Sequence, residues 1–71
     1  MNSFIEIKDK QGKWHYININ HIEEVWDDGQ GCTIYLAFTN PYADEQDSIV
    51  TDKSYDDVKT MIYKAVQSNV Y

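Results

Sequence analysis

The sequence predicts an α+β domain, a small four- or five-stranded antiparallel sheet followed by one C-terminal helix packed on one face. Ile and Val together number thirteen and aromatic residues ten, against a single leucine, Leu36; β-branched and aromatic side chains favour the pleated surface of a strand. Apolar and polar residues alternate with a period of two through much of the chain, the mark of half-buried strands. From Ser54 onward the period changes to that of a helix. With 71 residues and a mass of 8.3 kDa the chain holds one domain, residues 1–71. Size and hydropathy exclude a large enzyme cleft, a nucleotide-binding Rossmann unit and a membrane span.

Taken in order, residues 4–8 alternate (Phe4, Ile5, Glu6, Ile7, Lys8) and read as a first strand. Lys10-Gln11-Gly12-Lys13 supplies a tight turn with Gly12 at the position that needs positive φ. Residues 14–19 return as a second strand, with Trp14, Tyr16 and Asn18 on one face and His15, Ile17 and Ile19 on the other. Asn20-His21 breaks the run, and Ile22 to Trp26 forms a third strand entered through a helical turn. Asp27-Asp28-Gly29-Gln30-Gly31 is a second turn. Cys32 to Thr39 is the clearest strand, sending Cys32, Ile34, Leu36 and Phe38 one way and Thr33, Tyr35, Ala37 and Thr39 the other. A polar loop over residues 40–47, with the only proline, Pro41, precedes a brief fifth strand from Ser48 to Thr51. Ser54 is placed to cap a helix whose first turn carries Asp56 and Asp57, at the positive end of its dipole. Val58, Met61, Ile62, Ala65, Val66 and Asn69 form its apolar stripe.

This series of residues resembles the small FlbD-type proteins, encoded near flagellar genes and known as swarming motility proteins. The resemblance lies in Phe4-Ile5-Glu6, Gly12-Lys13-Trp14-His15-Tyr16-Ile17-Asn18 and His21-Ile22-Glu23-Glu24-Val25. It continues in Thr33-Ile34-Tyr35-Leu36 and in Ser54-Tyr55-Asp56-Asp57-Val58, which opens the helix, so that it spans nearly the whole chain. The chain departs from that pattern in the longer acidic loop of residues 40–47. A second similarity, in strand rhythm, is to the β-rich LytTR-type DNA-binding domain, from which the chain departs in charge. Neither resemblance implies a catalytic residue.

Six Lys, no Arg and twelve acidic residues give a net charge of −6 and a pI near 4.5. Residues 27–52 carry six acids and no Lys, equal to the whole net charge. Asp27, Asp28, Asp44, Glu45 and Asp47 in this segment read either as solvated loops that keep the protein soluble or as an acidic patch aimed at a basic protein surface. Cys32 is the only cysteine, so no internal disulfide forms, and in an apolar run it reads as a small buried hydrophobe. The N-terminus lacks the basic region and apolar run of a signal peptide, which makes a reducing cytoplasm, of a bacterium or a phage-infected cell, the expected compartment.

Chemistry-bearing groups do not converge in the sequence. His15 and His21 flank a strand end without the ligand spacing of a metal site, and read as surface or half-buried histidines. Asp44, Glu45 and Asp47 lack the alternation and central glycine of a calcium loop. Glu23 and Glu24 are adjacent in an extended run and leave from opposite faces, unlike an acid–base pair. No nucleophile motif or phosphate-cradling glycine loop is present. The expectation is a protein that is not an enzyme and uses no cofactor or metal.

One helix covers one face of a small sheet. The alternation therefore sends Phe4, Trp14, Tyr16 and Tyr35, with Trp26 joining them, to the uncovered face as one apolar patch. The expected use is binding: a homo-oligomer that docks on or inhibits a larger protein. The alternative is a phage-type anti-defence protein that sequesters a planar nucleotide signal. Membranes, DNA and RNA are not expected partners. Nucleic-acid affinity needs Lys and Arg to neutralise phosphates, and known single-strand binders combine stacking with a positive groove. A fluorescently labelled short oligonucleotide at low salt is expected to show no saturable anisotropy change up to micromolar protein.

Overall fold

Alternation along the first hairpin turns Ile5, Ile7 and Ile17 inward, where all three are buried. The computed structural model describes residues 3–37 and 47–67. Strand β1 (Phe4–Lys8) pairs antiparallel with β2 (Trp14–Asn18), placing Ile5 opposite Ile17 and Glu6 opposite Tyr16. A one-turn 3₁₀ helix, Ile19–His21, leads into β3 (Ile22–Asp27), which pairs antiparallel with β4 (Cys32–Leu36). Strand β5 (Ser48–Thr51) pairs with the far side of β4, and helix α1 (Tyr55–Gln67) follows.

The fold is α+β with five antiparallel strands, as the alternation predicts, but the strands form two sheets: β1-β2 and β3-β4-β5. The reason lies at Asn18. Its side chain accepts the Asn20 N–H at 2.9 Å and caps the 3₁₀ turn. The second strand therefore ends at Asn18, one residue before the expected Ile19, and the chain is redirected before β3 begins. β3 then pairs with β4 and not with β2. The fourth strand ends at Leu36; Ala37 N–H donates to His21 O, while Phe38, Thr39 and most of the 40–47 loop lie outside the described residues.

Both sheets turn their buried faces to one core. Ile5, Ile7 and Ile17 come from the first, Cys32, Ile34 and Ile49 from the second, and Val58 from the helix. The helix packs against β1, the 3₁₀ turn and β3, so it spans both sheets. Met61, Ile62 and Ala65 lie half-buried beneath it, as the stripe predicts. Val66, assigned to the same stripe, is exposed, and Asn69 lies outside the described residues. Ser54 caps the helix through its Oγ, which accepts the Asp57 N–H at 3.1 Å.

Thr51 closes the seam between the sheets. Its buried hydroxyl donates to Lys8 O at 2.7 Å, and beside it Lys10 N–H donates to Val50 O at 2.9 Å. Gly31 packs on this seam with φ of 156°, and an added Cβ would collide with the Thr51 carbonyl oxygen. Gly12, at φ of 88°, has open space around it. Gly12→Ala should therefore cost only the dihedral penalty of about 1–2 kcal/mol. Gly31→Ala adds overpacking of roughly 1–3 kcal/mol and should be the more destabilising of the two by urea denaturation.

Candidate functional site

On β1-β2 the face turned from the core carries Phe4, Glu6 and Lys8 beside Trp14, Tyr16 and Asn18. Trp14 is 63% and Tyr16 70% exposed, and Phe4 is exposed as well. Phe4 and Tyr16 stack with ring centroids 4.6 Å apart and planes within 6°. Lys8 Nζ stands 5.9 Å from the Trp14 ring centroid, within cation–π range. The ladder explains these contacts, because residues on one face of adjacent strands are cross-strand neighbours.

Trp26 and Tyr35 fall elsewhere. They meet edge to face, with centroids 6.1 Å apart, on the outer side of β3-β4-β5 near exposed Val50. Trp26 is exposed and Tyr35 half-buried. The single aromatic face expected from alternation is thus divided into two patches on two sheets, because the 3₁₀ turn separates the strands that carry them.

Two concavities flank the first patch. A groove of about 720 Å³ runs along β2, with Trp14, Tyr16, Ile17 and His21 on one wall and Leu36, Asp47 and Ile49 on the other. A smaller hollow of about 350 Å³ is lined by Lys8, Asp9, Trp14, Thr51, Asp52 and Lys53. Sequence reasoning placed Trp14 but missed Lys53 beside it, because the two are joined only by the seam at Thr51.

Asp9 organises the turn next to this patch, a role the sequence reading did not assign. Its Oδ1 accepts the N–H groups of Gln11 and Lys13 at 2.8 and 2.9 Å. Its Oδ2 accepts from His15 Nε2, also at 2.8 Å. The signal was present in the sequence: an Asp just before a glycine turn commonly bonds backbone amides two residues on. His15 is half-buried, and its partner is this carboxylate.

The acidic residues are dispersed. Asp27 Oδ1 accepts the Gly29 N–H at 2.9 Å, and Asp28 Oδ2 accepts the Thr33 hydroxyl at 2.5 Å, so both serve the β3–β4 turn. Asp47 sits at the other end of β4, where its carbonyl accepts the Leu36 N–H. That is four strand steps away, about 13 Å. Asp44 and Glu45 lie outside the described residues. Cys32 is buried, and desolvation, followed by the charges of Asp28 and Asp27, pushes its thiol pKa up. A thiol so placed is poorly nucleophilic. Among the described residues no group of three His, Cys, Asp or Glu side chains is placed to hold a metal ion, and no helix is long and apolar enough to cross a membrane.

Comparison with protein families, curated proteins and solved structures finds no match to this chain.

The Asp9 carboxyl is held below its ordinary value of 3.8, first by the His15 hydrogen bond and then by the backbone N–H of Lys13. The unfolded chain therefore takes up this proton at higher pH than the folded one. Stability contributed by Asp9 is complete above the ordinary carboxylate range and is lost as pH falls through it and below. Urea midpoints of the native protein and Asp9→Asn should differ more at pH 6 than at pH 3. An equal difference at both would show that the charged form of Asp9 is not what holds the turn.

Proposed function

We propose that this protein is a non-catalytic binding module that works as a homo-oligomer and docks on a larger protein through the Phe4, Trp14 and Tyr16 surface of β1-β2. The observation that carries this reading is that these aromatics are surplus to the core. Ile5, Ile7 and Ile17 already fill the buried face of the same two strands, while Trp14 and Tyr16 remain exposed. Rigid aromatic side chains grouped in this way are typical anchors of protein interfaces. Membership of the FlbD-type family and a cytoplasmic setting belong to the same proposal. One stretch of the resemblance, Gly12 to Asn18, builds this hairpin.

A second reading has its own support. Trp14, Lys8 and Lys53 line the smaller hollow together, a set of groups suited to stacking a planar base and meeting its phosphate. Asp9 and Asp52 line the same hollow, where their carboxylates oppose a phosphate. That balance places the small-molecule reading second.

The experiment is affinity capture at low and high salt with the native chain, Trp14→Asp and Trp26→Asp, together with native mass spectrometry. A specific protein partner should be retained by the native chain and by Trp26→Asp. Trp14→Asp should weaken it about a hundredfold, equivalent to roughly 3 kcal/mol, because a carboxylate is buried unpaired. Equal retention by both variants would remove the β1-β2 surface from the function. A copurifying ultraviolet-absorbing ligand in place of a partner would favour the second reading.

A further inference from the structure

We infer that the free edge of β2 is a self-pairing edge, which joins two copies of this chain antiparallel about a twofold axis at Tyr16. The inference rests on the self-association in the proposed function and assigns it to a strand edge.

The direction of every backbone group in the hairpin follows from two bonds. Ile19 N–H donates to Ser3 O, and Asp9 N–H donates to Lys13 O. Both fit the β1-β2 register, so odd-numbered residues make the ladder and even-numbered ones point their N–H and C=O away from it. On β1 the outward groups of Lys8 and Lys10 meet Thr51 and Val50 at the seam, as this parity requires. On β2 the outward groups belong to Trp14, Tyr16 and Asn18. The N–H groups of these three, and the C=O groups of Trp14 and Tyr16, have no hydrogen-bond partner among the described residues.

Unpaired edges are ordinarily guarded by charge, proline or a bulge. In the other sheet the β3 edge is guarded in this way, by Glu23, Glu24 and Asp27 and a register shift between Ile22 and Glu24, while the β5 edge meets Lys10 through the Val50 carbonyl. β2 reads Trp14-His15-Tyr16-Ile17-Asn18, with no Lys, no proline, no acid and an unbroken register. In a chain of net charge −6 it is a strand where two copies can meet without opposing formal charges.

Hydrogen-bond parity and symmetry select the orientation. The outward groups of β2 belong to even-numbered residues, so an antiparallel pair can set Tyr16 against the same residue of the second copy and exchange both N–H to C=O bonds. A parallel pair would set each even-numbered residue beside an odd-numbered one and would not close about a twofold axis. Centred on Tyr16, the pair places Tyr16 opposite Tyr16 of the partner subunit and Trp14 opposite Asn18 of the partner subunit. All three are residues with outward backbone groups. The outcome is a continuous four-stranded sheet that doubles the aromatic surface.

The test uses the full chain at low and high concentration, with its mass read by sedimentation and backbone amide exchange read by NMR. The expected species is twice the 8.3 kDa of one chain. Exchange at Trp14, Tyr16 and Asn18 should slow by about tenfold or more as concentration rises, while Ile17, bonded to β1, is protected throughout. Tyr16→Pro removes an N–H that the β1-β2 ladder does not use and should leave a folded monomer. Tyr16→Lys, which does not constrain the backbone, should weaken the dimer about tenfold. A dimer with unchanged exchange at these three amides, or one unweakened in either folded variant, overturns the edge pairing and leaves self-association standing. A single-chain mass at every concentration overturns both.

Discussion

A two-stranded hairpin such as β1-β2 is marginal in water and needs a further sheet or a helix to pack on, which here are β3-β4-β5 and α1. The seam at Thr51 brings the two sheets together. The Thr51 hydroxyl satisfies Lys8 O at the end of β1, and Val50 O takes the Lys10 N–H one residue further along. This junction fixes how β1-β2 meets the second sheet, so that Ile5, Ile7 and Ile17 meet Ile34 and Ile49 in one core with Val58 above. Gly31 is required at the same place because the Thr51 carbonyl leaves no room for a Cβ. Burial of so polar a residue as Thr51 is tolerable because its hydroxyl is fully engaged, donating to Lys8 O and accepting the Lys53 N–H at 3.2 Å.

The distribution of charge follows from the same architecture. Of the acids concentrated in the middle of the chain, Asp27 and Asp28 are engaged in local turn bonds. Asp9, outside that segment, is the most heavily used carboxylate among the described residues, accepting two backbone N–H groups and an imidazole. Its carboxyl is drawn below the usual range by those bonds, and the buried Cys32 thiol is driven up by desolvation. Both shifts serve the fold: the first keeps a turn charged and ordered, the second keeps a core sulfur neutral.

Part of the apolar surface left over once the core is complete lies on the first hairpin. Its inner face is isoleucine, its outer face carries Phe4, Trp14 and Tyr16, and the edge of β2 has no backbone partner among the described residues. That edge lies beside an exposed aromatic face, with Lys8 against the Trp14 ring and a groove running along the strand.

Alternation, turn residues and the helical period are local properties, and they were enough to place every strand start, both glycine turns, the Ser54 cap and the exposure of Phe4, Trp14, Tyr16 and Trp26. They also showed Cys32 and Ile34 to be core. The division into two sheets was not contained in them. It depends on one capped 3₁₀ turn at Asn18 and on bonds between residues forty-three positions apart, such as Thr51 to Lys8. A period of two states which side of a strand is buried. It does not state which strand lies beside it, because pairing is a matter of long-range contacts that must all be satisfied at once. For that reason tertiary structure alone separated Trp26 and Tyr35 from Trp14 and Tyr16, set Lys53 and Trp14 on one hollow, and left the outward backbone groups of β2 without a partner among the described residues.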